Sequence, residues 1–433
     1  MADDLRFPDG FLWGTATSSH QVEGNNKNNQ WWAWEEAGGN IKDGTVSGIA
    51  CDHYNRFAED FRMSRQWGHN AHRFSIEWSR VEPEEGRWDE KEVEHYRKVL
   101  ESLHENGLVP FVTLHHFTNP IWFEEMGGWT NERAPELLGR FAGYMAEQLG
   151  DAVPYWLTIN EPQVLPAASY IAGVHPPAKR DFGLAMQAAR HILMSLGTMH
   201  NAIREKAPHD PKIGPVINMT YSMPASDSEE DKAAAKLMDQ YWNAFWLDGI
   251  RDGVIGAPAG RGEEVPGLKG AWDIVGLNYY SRSVVAQGRG VMGLRQVAPP
   301  PDAETSTMGW EVYPEGFYQS MMRLKDYDVP VYITENGIGT DDDEQRISYL
   351  VRHFKQIHRA IEDGVDVRSY LHWCQQDNFE WAEGYRQKFG LFATEEGTLN
   401  RIPKESASFF KDVAANNRVP GELVEQYSGK WTG

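Results

Sequence analysis

Hydrophobic and polar residues follow two periodicities, which alternate along this chain. Short runs rich in β-branched and aromatic residues predict strands, and several stretches between them place apolar residues three or four positions apart, as amphipathic helices do. The helical pattern covers 54–68, 90–107, 135–150 and a long stretch around 183–207. Eight strand-like runs are present, at 11–16, 71–78, 108–116, 153–161, 212–219, 272–280, 329–336 and 367–373.

Strands that alternate with helices indicate parallel βα units, and eight of them favour a closed (β/α)8 barrel over an open doubly wound sheet. No GxGxxG motif follows the first run, which weakens the dinucleotide-binding alternative. No linker or low-complexity tract divides the chain, so we predict one α/β domain, a single (β/α)8 barrel over residues 1–433. The stretches 17–53, 162–181 and 281–312 are too long for ordinary connections and are expected to be the loops that build the site.

Composition excludes several classes of protein. The 41% hydrophobic and 24% charged content is ordinary for a globular protein, and no apolar run approaches the roughly 18 residues of a membrane span. The net charge of -21 without a basic stripe argues against nucleic acid as a partner. The first residues carry acids where a signal peptide carries basic residues, and no apolar segment follows before Gly10, so a cytoplasmic protein is expected.

Neither a disulfide framework nor a metal site is expected. The two cysteines, Cys51 and Cys374, are too far apart in sequence for a CxxC motif. The histidines of "HHFTNP", which include His116, could suggest metal ligands, but no third ligand of suitable spacing appears. A buried, hydrogen-bonded histidine is the preferred interpretation.

Two of the strand-like runs end on a glutamate. The fourth closes as "LTINEP" with Glu161, and the seventh closes as "VYITENG" with Glu335. The carboxyl ends of barrel strands build the site, and the fourth and seventh strands face each other across the mouth, so the two carboxylates can converge. Glycoside cleavage needs such a pair, one to protonate the leaving oxygen and one to attack the anomeric carbon or activate water. Either glutamate alone could instead cap a helix or pair with an arginine.

The stretch "DNFEWAEG" at 377–384 mixes bulky aromatics with carboxylates. A core would not bury the acids unpaired, and a solvated face would not need the rings. A sugar pocket uses both, because rings lie against C–H faces and carboxylates accept hydroxyl protons. Trp31, Trp32 and Trp34 in "NNQWWAWEE" also suggest a sugar platform, but we expect them to pack under the barrel rim and leave them out of the site.

Longer motifs resemble family 1 glycoside hydrolases, which include β-glucosidases and β-galactosidases. The resemblance implies a (β/α)8 barrel and a retaining double displacement without a cofactor. It makes Glu161 the acid/base and Glu335 the nucleophile. The matching stretches run over nearly the whole chain: "FPDGFLWGTATSSHQVEG", "HRFSIEWSRVEP", "TINEP", "GLNYY", "MGWEVYPEG", "YITENG" and "DNFEWAEGYRQKFGL".

The same resemblance implies a set of residues around the sugar. Gln21 and Glu380 would hold the outer hydroxyls, and His116 and Trp381 the side of the 3-hydroxyl. Asn160 would bind the 2-hydroxyl, and Trp373 would form the floor under the ring. Arg73 and Tyr280 would hold Glu335 ionised and oriented, as an arginine beside a carboxylate does in general. Asn160 and Glu161 are neighbours on a strand, so a local distortion is expected if both face the pocket.

Three positions concern the leaving-group side. Phe117 follows the pocket histidine where the family commonly has Trp, and Gln163 follows "NEP" where it commonly has an aromatic residue. These departures leave Trp310 as the clearest aromatic wall of the aglycone subsite, to which we assign Gln163 and Trp310. Two glutamines in "CQQDNFEW" also depart from the usual apolar residues, and nothing in the sequence explains them.

The expected substrate is a small neutral β-glycoside or oligosaccharide. Glu380 would repel a 6-phosphate, and no Lys or Arg lies between Asp377 and Gly384 to compensate. The sequence does not separate glucose, galactose and fucose. Two other functions stay open: a transglycosylase that uses the same glutamates, and a sugar-binding barrel without catalysis.

Overall fold

The computed structural model describes residues 2–429 of the protein. Eight strands pair in parallel with their neighbours around a closed barrel, with the eighth returning to the first, so the predicted barrel is confirmed. In chain order the strands are β1 Leu12–Ala16, β2 Ala71–Ser75, β3 Val109–His115, β4 Tyr155–Asn160, β5 Lys212–Asn218, β6 Val275–Tyr279, β7 Val331–Asn336 and β8 Val367–Trp373.

A helix follows each strand and packs outside the barrel. The four helices predicted from periodicity agree with the structure to within two residues at each end. The helices are α1 His53–Gln66, α2 Glu90–Glu105, α3 Ala134–Leu149, α4 Phe182–Lys206, α5 Phe245–Asp252, α6 Pro314–Lys325, α7 Asp343–Glu362 and α8 Glu405–Asn416. Aspartates cap several of them, as Asp181 does by accepting a hydrogen bond from the backbone N–H of Leu184.

The barrel strands are buried on both faces. Phe111, Leu157 and Tyr332 pack with one another inside the barrel, whereas alternate residues such as Leu114 and Trp156 pack outward against the helices. Strands buried on both faces read as continuous apolar runs, which explains why they were visible in the sequence. Close approach matters at Gly337, where a β-carbon would lie 2.0 Å from the carbonyl oxygen of Trp373. A glycine there lets the ends of β7 and β8 come together.

The three long stretches contain regular structure and are not simple loops. The first holds two short helices, Ser19–Val22 and Gln30–Glu36, and the second a π-helix, Leu165–Ala172. The third supplies strands Arg282–Gln287 and Leu294–Val297, which form a three-stranded sheet with Tyr221–Pro224. The π-helix Gln240–Ala244 joins helix Glu229–Asp239 to α5.

The remaining elements are short. They are strands Leu5–Arg6, Val254–Ile255, Glu263–Glu264, Phe392–Thr394, Arg401–Pro403 and Arg418–Val419, α-helices Trp78–Val81, Ile121–Glu125 and Gly421–Gln426, and 3-10 helices Gly128–Thr130, Gly150–Ala152, Val291–Gly293 and Trp381–Arg386. Among residues 2–429, no helix combines the length and apolar character needed to cross a membrane.

Candidate active site

A cavity of about 740 Å³ opens at the carboxyl ends of the barrel strands. The residues that line it come from the ends of β3 to β8 and from the stretches that follow β1, β4, β5, β6 and β8. Among the predicted site residues, the lining includes His116, Asn160, Glu161, Tyr280, Trp310, Glu335, Trp373, Glu380 and Trp381. Both glutamates therefore face one cavity.

Glu335 lies on β7 and receives a hydrogen bond on each carboxylate oxygen. Arg73 donates from Nη1 to Oε1 across 2.5 Å, and the Tyr280 hydroxyl donates to Oε2 across 2.6 Å. Arg73 is fully buried on β2 and is itself fixed by bonds to the side chains of Thr113 and Asn160. Side-chain donors on two different strand ends therefore hold both oxygens of this carboxylate in position.

Glu161 lies just past the end of β4 in a different environment. Two neutral amides, Asn218 Nδ2 and Asn278 Nδ2, donate to its Oε1 at 3.0 and 2.9 Å. Burial raises the pKa of Glu161 to about 8, and the negative charge of Glu335 adds to the increase. A carboxyl group in this environment keeps its proton at neutral pH.

The expected backbone distortion is present at this point. Glu161 has a φ of 47°, in the left-handed region that a non-glycine residue rarely adopts. The pairing of β4 with β5 also shifts register between Leu157 and Asn160. The irregular backbone lets Asn160 and Glu161 both line the cavity.

Aromatic rings and a third carboxyl group form another part of the lining. His116 packs nearly parallel to Trp381, with 6.0 Å between ring centroids, and at the same separation from Trp373. Burial raises the pKa of Glu380 to about 8, and this carboxyl accepts from Trp373 Nε1 at 3.4 Å. Burial also lowers the pKa of His116 well below its usual value, so the ring is neutral. Aromatic rings and a carboxyl group thus line the same part of the cavity, as the stretch "DNFEWAEG" predicts.

Two of the predicted site residues, Gln21 and Gln163, do not line the cavity themselves. Gln21 is fully buried behind Glu380, and its amide nitrogen lies 2.8 Å from the carbonyl oxygen of Phe379 and 3.3 Å from Glu380 Oε2. Gln163 is also fully buried and donates to the carbonyl oxygen of Asn218 across 2.8 Å. Backbone carbonyls from distant segments hold both amides away from the cavity.

Three residues that the sequence reasoning missed belong to the site. Asn218 and Asn278 bind Glu161, and Trp242 lines the cavity while its Nε1 donates to the Asn218 carbonyl oxygen at 2.8 Å. The two asparagines lie at the ends of β5 and β6, so strand-end polar residues were the available signal. Trp242 lies in a π-helix and gave no such signal.

Two other sequence features are placed outside the lining. Trp31 is buried and packs against Trp381, with ring centroids 4.7 Å apart, and neither Trp32 nor Trp34 lines the cavity. Gln375 of "CQQDNFEW" donates to the carbonyl oxygen of Asp60 at 3.1 Å. Within the described residues 2–429, no group of three or more His, Cys, Asp or Glu side chains could hold a metal ion.

Comparison with known proteins identifies the family of this chain. A family model described as "Glycosyl hydrolase family 1" matches residues 4–419. Beta-glucosidase A of Thermotoga maritima is 36% identical over 440 residues, which cover 95% of this chain and 98% of that protein. The beta-galactosidase of Pyrococcus woesei is 32% identical over 509 residues, with coverages of 97% and 99%. The solved structure of a family 1 b-glucosidase from Thermotoga maritima in complex with isofagomine lactam superposes with a TM-score of 0.92 at 36% identity, covering 96% of this chain and all of that one (100%). The chain therefore belongs to glycosyl hydrolase family 1.

Proposed function

We propose that the protein is a retaining β-glycosidase that removes a neutral terminal β-glycosyl residue, most readily β-glucose and with β-galactose and β-fucose as further donors. The observation that carries this proposal is the contrast between two carboxyl groups of one cavity. Glu335 accepts from a buried arginine and a tyrosine, whereas burial raises the pKa of Glu161 to about 8. Environments that separate two carboxyl groups in this way assign one as base or nucleophile and the other as acid.

The first step would transfer the glycosyl group to the enzyme. The Glu335 carboxylate attacks the anomeric carbon, and Glu161 gives its proton to the glycosidic oxygen as the bond to the leaving group breaks. The product is an alcohol and a covalent glycosyl ester of Glu335. In the second step Glu161, now ionised, takes a proton from water while the water oxygen attacks the anomeric carbon. This releases Glu335 and the sugar, with two inversions that restore the β configuration.

The other lining residues would hold the sugar during these steps. Glu380 and, through it, Gln21 would bind the outer hydroxyls, and His116 and Trp381 would contact the 3-hydroxyl side. Asn160 is held by Arg73 at 2.6 Å, which positions its amide for the 2-hydroxyl beside the reacting carbon. Trp373 would lie under the ring.

A neutral sugar fits this pocket better than a 6-phosphorylated one. Glu380 lies in the pocket, and a dianionic phosphate buried beside it would lose its hydration without gaining a cationic partner. Lys42, which also lines the cavity, is paired with Glu383. We therefore assign neutral β-glycosides as the donor class.

The extent of the catalytic domain and the cellular location are also part of this proposal. A single catalytic domain would span residues 1–433, and the family match over 4–419 supports this assignment. A cytoplasmic location suits the free, buried thiols of Cys51 and Cys374, because that compartment keeps thiols reduced.

A panel of 4-nitrophenyl glycosides tests the proposal. The β-glucoside should be cleaved and its α-anomer should not, and NMR spectra taken during the first minutes should show β-glucose before mutarotation. An alcohol added at high concentration separates hydrolysis from transfer, because it competes with water for the glycosyl group. A hydrolase should still give free sugar as the main product. Release of α-glucose first, or no cleavage of any β-glycoside, would contradict the assignment.

A further inference from the structure

The cavity extends outward past the two glutamates, and its outer part is largely apolar. We call this part the outer wall. Its members come from the stretches after β4, β5 and β6, and Val174 and Trp310 are 50% and 37% exposed. The outer wall includes Val174, Trp242, Val297, Pro299, Met308 and Trp310.

Two rings of the outer wall are tied directly to the groups around the glutamates. Trp242 donates to the backbone of Asn218, whose side chain binds Glu161. Trp310 packs against Tyr280 with ring centroids 5.4 Å apart, and Tyr280 binds Glu335. Each indole therefore contacts a residue that is itself hydrogen-bonded to one of the glutamates. A leaving group bound beside the glutamates would therefore lie close to these rings.

Most polar side chains in the outer part of the cavity form hydrogen bonds or ion pairs with other protein groups. Arg282 makes two hydrogen bonds of 2.8 Å to the carboxylate of Glu311. The Ser281 hydroxyl donates to the Glu311 carbonyl oxygen at 2.8 Å. Gln296 Nε2 donates to the Ser283 hydroxyl at 3.1 Å, and Lys42 pairs with Glu383. These groups are already partnered before any substrate arrives.

A sugar leaving group needs partners for several hydroxyls. In the outer part of the lining, Thr220, His175 and the indole N–H of Trp310 are the side-chain groups that make no hydrogen bond within the described structure, and they are few for that task. Hydroxyls left unpaired against an apolar wall cost binding free energy. An aromatic or alkyl group makes no such demand, and it gains from contact with indole faces and aliphatic side chains.

We infer that the leaving-group side of this site selects β-glycosides with an aryl or alkyl aglycone over those whose aglycone is a second sugar. The inference rests on the proposed β-glycosidase function and adds the class of leaving group. It assigns Trp310 and Trp242 as the residues that determine this specificity.

The test compares 2-phenylethyl β-glucoside with cellobiose. Phenylethanol is a weaker acid than a sugar hydroxyl and is the poorer leaving group, so a preference for its glucoside reports aglycone binding and not bond reactivity. We expect kcat/KM for 2-phenylethyl β-glucoside to exceed that for cellobiose by about tenfold or more. Along a series of alkyl β-glucosides from ethyl to hexyl, kcat/KM should rise about threefold for each added methylene. Equal or higher kcat/KM for cellobiose, or a flat alkyl series, would overturn the inference.

Variants of outer-wall residues test whether these side chains cause the preference for aryl and alkyl aglycones. Trp310→Ala should lower the ratio of kcat/KM for phenylethyl over methyl β-glucoside by about tenfold. Phe182→Ala is the matched control, because Phe182 is 40% exposed but does not line the cavity, and it should leave the ratio unchanged. A ratio unchanged by Trp310→Ala and Trp242→Ala alike would contradict the assignment of these rings. Circular dichroism of each variant verifies folding.

The outcomes separate this inference from the function on which it rests. Cleavage of 4-nitrophenyl β-glucoside with a preference for cellobiose would overturn the aglycone class and leave the β-glycosidase function standing. Failure to cleave any β-glucoside would overturn both.

Discussion

The guanidinium of Arg73 and the carboxylate of Glu335 are joined by a hydrogen bond of 2.5 Å that links β2 to β7 inside the protein. Their side chains are 0% and 4% exposed, so the pair is shielded from water. A buried arginine needs a negative partner, and loss of either member leaves an uncompensated charge. The pair therefore fixes the position of the Glu335 carboxylate before substrate binds, and Tyr280 adds a second donor.

The first prediction concerns Tyr280. The variant Tyr280→Phe removes the hydrogen bond to Oε2 of Glu335, which helps to hold this carboxylate in position for attack. The value of kcat/KM for 4-nitrophenyl β-glucoside should fall by about tenfold or more, the size expected for one hydrogen bond to a charged group. Tyr332→Phe is the control: Tyr332 lies buried on β7 but bonds to Tyr155 inside the barrel, so its replacement should leave kcat/KM nearly unchanged.

The second prediction concerns the alkaline limb. Because the pKa of Glu161 is raised to about 8, kcat/KM for a substrate that needs protonation should fall as pH rises through about 8. Asn278 donates to the ionised carboxylate and lowers this pKa, so Asn278→Ala should shift the limb to still higher pH. A 2,4-dinitrophenyl β-glucoside needs no proton and should show a much weaker alkaline decline. A limb near the ordinary pKa of glutamate would contradict the raised pKa of Glu161.

The barrel itself could be predicted from the sequence for a simple reason. Strands buried on both faces leave uninterrupted apolar runs, and the helices that cover them leave a clear amphipathic pattern. The glutamates could be located because a barrel puts strand ends at the site, which made Glu161 and Glu335 stand out. These inferences need only local sequence and the barrel topology.

The placement of the amide side chains could not be predicted in this way. Gln21 and Gln163 are turned away from the cavity by bonds to backbone carbonyls at Phe379 and Asn218, which closure of the barrel brings near. Asn278 was present in a quoted motif, but nothing local shows that its amide meets Glu161. Such contacts depend on tertiary structure, so the sequence carries no direct signal for them.

The third prediction concerns the charge of the donor sugar. At pH 9, where Glu380 with its pKa of about 8 is ionised, 2,4-dinitrophenyl β-glucoside 6-phosphate should react at least about a hundredfold more slowly in kcat/KM than the neutral glucoside, since the charge of Glu380 would oppose the phosphate. Glu380→Gln should narrow this difference, because it removes the carboxyl group while keeping the shape of the side chain. Glu396→Gln, at an exposed position, serves as the control and should leave the ratio unchanged. Comparable rates on the two substrates of the unmutated enzyme would contradict the assignment.

The fourth prediction concerns stability. A glutamate with a raised folded-state pKa contributes stability below its unfolded pKa, and this contribution is lost as pH rises toward the folded pKa of about 8. Glu161→Gln removes the titration, so its stability relative to the unmutated protein should increase between pH 5 and pH 9, by roughly 2–4 kcal/mol. Glu335→Gln should instead destabilise the protein, because it leaves the buried Arg73 without its charged partner. Urea denaturation at several pH values measures both effects. A pH-independent difference for Glu161→Gln would be evidence against the raised pKa.

The last prediction separates the roles of the two glutamates. Glu161→Ala should still form the glycosyl-enzyme from 2,4-dinitrophenyl β-glucoside, whose leaving group needs no proton, but should hydrolyse that intermediate slowly because no base activates water. Azide needs no base, so adding it should speed turnover and give the β-glucosyl azide. Glu335→Ala should be nearly inactive on every substrate, and azide in the space left by the carboxylate should attack from the opposite face and give the α-glucosyl azide. Mass spectrometry of the trapped intermediate and NMR of the azides provide the measurements. Exchange of the two azide products between the variants would reverse the assigned roles, and release of the inverted sugar by the unmutated enzyme would exclude a double displacement.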